Sequence, residues 1–182
     1  NYECFTFLLN LIKRGPNKLK VLFMEKDGDG DTPFDTAAKY GEQNKCEDML
    51  KLCAELQIST DSVLVFKNGR NIMHLAANSI CNYECFTFLL NLLKSDLTKS
   101  KALFMKKDDD GETPFDTAVE YGQQNKCEDM LKLCADLQIS TDSILLNYTK
   151  NGRNIMHLAA IDDWNYECFT FLLNLIKRGP NK

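Results

Sequence analysis

The chain has 182 residues, 44% of them hydrophobic and 26% charged, with a net charge of −4. That acidic balance offers no footprint for a phosphate backbone, so nucleic acid is not an expected partner. The richest apolar run, Phe5 to Ile12, is interrupted by Asn10 and falls far short of the ~20 residues a membrane helix needs.

The spacing of Phe5, Leu8, Leu9 and Ile12 predicts a first helix over residues 2–13, with Cys4, Phe7 and Leu11 widening its apolar stripe. Val21-Leu22-Phe23-Met24 follows, too short for its period to separate a strand from a helical turn. Asp27-Gly28-Asp29-Gly30-Asp31 has the acidity of a calcium loop. An EF-hand would need Gly at the sixth position and Glu at the twelfth, where Thr32 and Ala38 stand, so a tight turn is expected instead. Thr32 and Pro33 then supply an N-cap oxygen and a proline at the first helical position, where its missing N–H costs nothing. A short helix is predicted through Phe34–Ala38, leaving at Gly41, and a longer one over Lys45–Leu56. After a second apolar run, Val63–Phe66, Asn71 caps the helix that contains His74, Ala76 and Ala77.

The same elements then return. Asn-Tyr-Glu-Cys-Phe-Thr-Phe-Leu-Leu-Asn-Leu occupies residues 1–11, 82–92 and 165–175. Thr-Pro-Phe-Asp-Thr-Ala recurs at 113–118, opening on Thr113 and Pro114 with Gly122 as the exit. Asn-Gly-Arg-Asn-Ile-Met-His-Leu-Ala-Ala recurs at 151–160, with Asn154 and His157 in the places of Asn71 and His74. Further apolar runs stand at Ala102–Met105 and Ile144–Leu146. Aligning Thr32, Asn71, Thr113 and Asn154 resolves two alternating unit types, each about forty residues long. Residues 1–18 and 165–182 are identical, whereas 82–99 matches 1–18 at only 13 positions. A higher-order period of 164 residues (1 to 165) is therefore expected, with a longer protein continuing on both sides.

Asp29-Gly30-Asp31-Thr32-Pro33-Phe34-Asp35-Thr36-Ala37-Ala38 resembles the Thr-Pro-Leu-His-x-Ala signature of ankyrin repeats, with Asp35 where the family has His. Gly69–Ala77 restores the His and lacks the Thr-Pro. The resemblance implies an all-α, ankyrin-like α-solenoid of stacked helix-turn-helix repeats with extended finger loops. Its units would be a partial repeat over 1–26, repeats over 27–67, 68–107 and 108–150, and a partial repeat over 151–182. It also implies that His74 and His157 belong to a structural network linking neighbouring turns.

Of the eight cysteines, Cys46 and Cys53 fall on apolar helix positions, where a thiol acts as a small hydrophobe. Cys4, Cys85 and Cys168 align with Lys45, look more peripheral, and are the candidates for cross-repeat disulfides. There is no Cys-x-x-Cys and no cysteine at zinc-ligand spacing from His74, so no metal or cofactor is expected. No nucleophile elbow or phosphate loop is present. Asn147-Tyr148-Thr149 is a glycosylation sequon in an expected loop.

The apolar residues Phe5, Phe7 and Leu8, and their copies Phe169, Phe171 and Leu172, form the expected end-docking face. Two functions fit these features. A structural array, possessing itself or its neighbouring repeats as partner, suits near-identical units with apolar ends. A module that binds another protein through a concave face and finger loops is the alternative. An enzyme finds no support among the residues.

Overall fold

A computed structural model describes residues 2–15, 21–58, 69–94, 97–161 and 166–178. These residues form an all-α structure, with no β-strand among them and one isolated bridge between Tyr148 and Asn154. Helix α1 spans Tyr2–Arg14, followed by a 3-10 turn at Val21–Phe23, α2 at Pro33–Lys39 and α3 at Gln43–Glu55. Then come α4 (Ile72–Ala77), α5 (Tyr83–Leu93), α6 (Leu97–Phe104), α7 (Pro114–Glu120) and α8 (Gln124–Asp136). The chain closes with α9 (Thr141–Leu145), α10 (Ile155–Ala159) and α11 (Tyr166–Arg178).

The short helices start where capping chemistry dictates. Thr32 accepts from the Asp35 N–H while the Asp35 carboxylate accepts from the Thr32 N–H at 2.7 Å, a reciprocal cap repeated by Thr113 and Asp116. Asn71 and His74, and likewise Asn154 and His157, build the same box from an amide and an imidazole. The helices stop at Gly41 and Gly122, whose φ of +70° and +64° is the left-handed conformation of a helix exit. The N–H groups of Gly41 and Glu42 close that exit on the carbonyls of Ala38 and Ala37.

Small residues decide how these helices pack. Ala37, Ala38, Ala76, Ala77, Ala118 and Ala159 are buried, and their size lets neighbouring axes approach closely. Thus α2 packs on α4, α4 on α7 and α7 on α10. Each short helix also packs on the long one after it: α2 on α3, α4 on α5, α7 on α8 and α10 on α11. Among the long helices, α1 rests on α3, α3 on α5, and α8 on α11. Phe34, Phe86, Phe115, Met49 and Met130 fill the space between these layers.

The apolar runs of undecided shape prove helical where they are described. Phe23 lies in the 3-10 turn, Phe104 at the end of α6 and Ile144 in α9, each of them buried. The run Val63–Phe66 lies outside the described residues.

Candidate functional site

Among the described residues, the features with the most convergent chemistry are the contacts between successive units. One set joins α4 and its turn to α7 and its turn. The Asn71 N–H donates to His74 Nδ1 at 3.1 Å, so Nε2 carries the ring proton and donates to the Glu112 carbonyl at 3.0 Å. Burial holds His74 neutral, with its pKa pushed down to about 4. Beside it, Arg70 Nε meets the buried Asp108 carboxylate at 3.1 Å, and Asn71 Nδ2 donates to the Leu103 carbonyl. Gly69 lies so close that a Cβ would sit 3.0 Å from the Asp108 backbone. Glu112 itself is pushed up to about 7, by burial and by the neighbouring Glu120, Asp108 and Asp116 carboxylates.

The long helices add to the same junction. Lys126 is buried, and its ammonium donates to the carbonyls of Ala76 at 2.9 Å, Asn78 at 2.6 Å and Cys81 at 2.6 Å. Three donors thus meet three acceptors at the end of α4, which compensates the removal of a charge from water. The ammonium also lies 5.6 Å from the centroid of the Phe86 ring. The Tyr83 hydroxyl donates to the Asp129 carboxylate across the junction.

The alternate junction, from α7 to α10 and from α3 to α5, uses other groups. The Lys150 N–H donates to the Asp110 carbonyl at 2.8 Å, and a Cβ on Gly111 would meet the Lys150 nitrogen at 3.0 Å. Asn82 Nδ2 donates to the Gly41 carbonyl at 3.0 Å. Thiols also meet here. The Cys85 thiol shares hydrogen bonds with the thiols of Cys46 and Cys81, and the Cys127 thiol with that of Cys168, within the apolar core.

That placement corrects the cysteine expectation. Cys85 and Cys168 are fully buried and not peripheral, because the neighbouring long helix packs over them, and only Cys4 remains exposed. All the cysteines are free thiols. Leu172 also departs from the expected apolar end face: it is fully buried, backed by α8 and α10. Phe169 and Phe171 are half-buried, Phe5 is half-buried, and Phe7 and Leu8 are exposed at 62% and 50%. Asn147 of the sequon is buried, its amide donating to the Gly111 carbonyl and the Asp116 carboxylate, so it is not presented to solvent.

Equivalent residues differ according to whether a neighbour follows. His74 is 1% exposed, whereas His157, in the same cap, is exposed. Arg153 is exposed where Arg70 is half-buried, and nothing lies within 4 Å of a Cβ placed on Gly152. Tyr166 is 74% exposed against 45% for Tyr83. On the opposite end, Lys45 meets Glu42 of its own unit at 3.1 Å and stands half-buried where Lys126 is buried. Asp27, Pro33 and Thr36 are exposed where Asp108, Pro114 and Thr117 are buried. The two ends therefore carry the two halves of the junction that α4 and α7 make inside the chain.

A groove of about 1040 Å³ also runs between α5 and α11, over the start of α8, lined by Tyr83, Lys126, Glu128, Tyr166, Thr170 and Asn174. No group of three or more His, Cys, Asp or Glu that could hold a metal ion occurs among the described residues. No helix among them is long and apolar enough to cross a membrane. No protein-family model matches the chain, and no curated protein matches it in sequence.

Proposed function

We propose that the chain is a non-enzymatic, ankyrin-like stack of repeats that serves as a structural array, with copies of its own repeats as its neighbours. The observation that carries this reading is the recurrence of the two halves of one junction. Its donor half stands at residues 69–83 and again at 152–166, and its acceptor half at 103–129 and again at 22–48. A surface that repeats along the chain suits regular lattice contacts, because each unit then offers its neighbour the same bonds. The order of helix contacts, each short helix on the next, supports a solenoid with the short helices along one side.

Electron microscopy of the native material tests this. Regular filaments, with an axial repeat that accommodates about four such units, are expected. Short discrete particles would overturn the array and favour the second reading, a module that binds another protein. The groove between α5 and α11 favours that second reading, since it offers aromatic, charged and amide groups in one concavity.

A further inference from the structure

The two ends of the molecule carry, residue for residue, the counterparts of the junction that α4 and α7 make inside the chain. At the junction inside the chain, Arg70 meets Asp108, Asn71 meets the Leu103 carbonyl, and His74 meets the Glu112 carbonyl. Lys126 caps the carbonyls beginning at Ala76, and Tyr83 meets Asp129. At the C-terminal end the same first halves are Arg153, Asn154, His157, Ala159 and Tyr166. At the N-terminal end the second halves are Asp27, Leu22, Asp31, Lys45 and Asp48.

Between these ends stands one obstacle, which is also the strongest clue. The place on α3 that a following copy would offer to α11 is occupied by that copy's own α1, through Tyr2–Asp48 and Lys13–Glu55 contacts. Helices α1 and α11 have the same sequence, Tyr-Glu-Cys-Phe-Thr-Phe-Leu-Leu-Asn-Leu-Ile-Lys-Arg. They differ in support. Helix α1 has no buried residue, while α11 buries Cys168 and Leu172 against its own chain and brings α10 with it.

We infer that the chain self-associates head to tail by exchange, the α10–α11 unit of one molecule replacing α1 on the α2–α3 unit of a second copy. In the exchanged state Tyr166 and Lys177 take over the bonds of Tyr2 and Lys13. The additional bonds come from α10 and its turn: Arg153 to Asp27, Asn154 to the Leu22 carbonyl, His157 to the Asp31 carbonyl, and Lys45 to the Ala159 carbonyl. Gly152 comes to rest on the turn at Asp27, as Gly69 does on Asp108. A chain of these 182 residues then keeps one unused half-junction of each kind, so its association is open-ended. The inference rests on the array reading above and adds to it the identity of the partner and the residues that join it.

The test uses sedimentation velocity on the 182-residue chain over a wide range of concentration, together with Lys45→Glu and Arg153→Glu. Lys45→Glu disables only the acceptor end and Arg153→Glu only the donor end. The unsubstituted chain should grow into longer species as concentration rises. Each variant alone should associate at least ~tenfold more weakly, since like charges then face each other or the carbonyls. An equal mixture of the two should give a dimer that does not grow, because one intact end of each kind remains. That recovery also shows that both variants are folded. Association of either variant as strong as that of the unsubstituted chain, or a mixture that stays monomeric, would overturn the inference. An unsubstituted chain that remains monomeric would overturn it too. Filaments in the native material together with a monomeric chain would leave the array standing, its units then joined by peptide bonds.

Discussion

Lys126 Nζ lies 2.9 Å from the Ala76 carbonyl, fifty residues earlier, and closes the end of α4 from within the next unit. Lys45 occupies the same place in its own unit and meets Glu42 instead. One residue type thus has two environments, set by whether the short helix of a preceding unit lies against it.

Lys126→Met removes an ammonium from three carbonyls, two of them buried, while keeping most of the packing on Phe86. Leaving such groups unpaired costs about 1–3 kcal/mol. Lys45→Met touches no such cap, and a change within about 0.5 kcal/mol is expected. Urea denaturation of both variants measures the contrast, and equal losses would refute the capping role.

Burial raises the Asp35 carboxyl to about 7, against the weaker pull of its bonds to Thr32, so the folded chain holds a proton that the unfolded chain has released. Because the folded pKa is the higher, this stabilisation is complete below about 4 and is lost as pH rises through 7. His74 acts in the opposite sense: its folded pKa of about 4 lies below the unfolded value of 6.5, so stability falls as pH drops through that window. Asp35→Asn keeps an acceptor for the Thr32 N–H. It should flatten the loss of stability as pH rises from about 4 to about 7, the interval between the unfolded and folded values, and steepen the loss on acidification that His74 brings. Denaturation midpoints across this range decide the matter; an unchanged profile would remove Asp35 from the account.

Gly111 and Gly152 both hold positive φ, +82° and +72°. A side chain costs about 1–2 kcal/mol at either for the left-handed backbone. At Gly111 the new Cβ also meets the Lys150 backbone at 3.0 Å, whereas at Gly152 it meets open space. Thermal melts should therefore show Gly111→Ala losing clearly more stability than Gly152→Ala. Similar losses would mean that the turns do not press together as described.

Cys4 is the one exposed cysteine, and burial or thiol–thiol bonding raises the pKa of Cys81, Cys85 and Cys134, lowering their reactivity. Mass spectrometry after brief treatment of the native chain with a maleimide should find a single label, on Cys4. Denaturant should open the remaining sites. Early labelling of Cys85 or Cys168 would contradict the packing of the long helices over them.

Much of the local structure was legible in the residues. Thr32-Pro33 and Asn71 mark helix starts because capping is decided within a single turn of chain, and Gly41 marks an exit because only glycine takes positive φ without strain. Cys85 and Cys168 were misjudged as peripheral. A helix that is apolar on several sides does not reveal which side a neighbour will cover. Leu172 was misplaced for the same reason, since its twin Leu8 has the same sequence around it and a different set of neighbours. The burial of Lys126 gave no signal either, because its acceptors are backbone carbonyls some fifty residues away, and every residue carries one.

The sequence by itself determined the capped short helices, the long amphipathic helices and the alternation of two unit types, because capping, backbone conformation and periodicity act over a few neighbouring residues; the shape of the intervening apolar runs it left open. The tertiary structure decided which copy of each repeated residue is buried. His74 and His157, Lys126 and Lys45, and Cys85 and Cys4 are matched in type and differ in surroundings, since burial depends on what stands on the far side of a helix. Identical sequence at α1 and α11 carries different energetics for that reason.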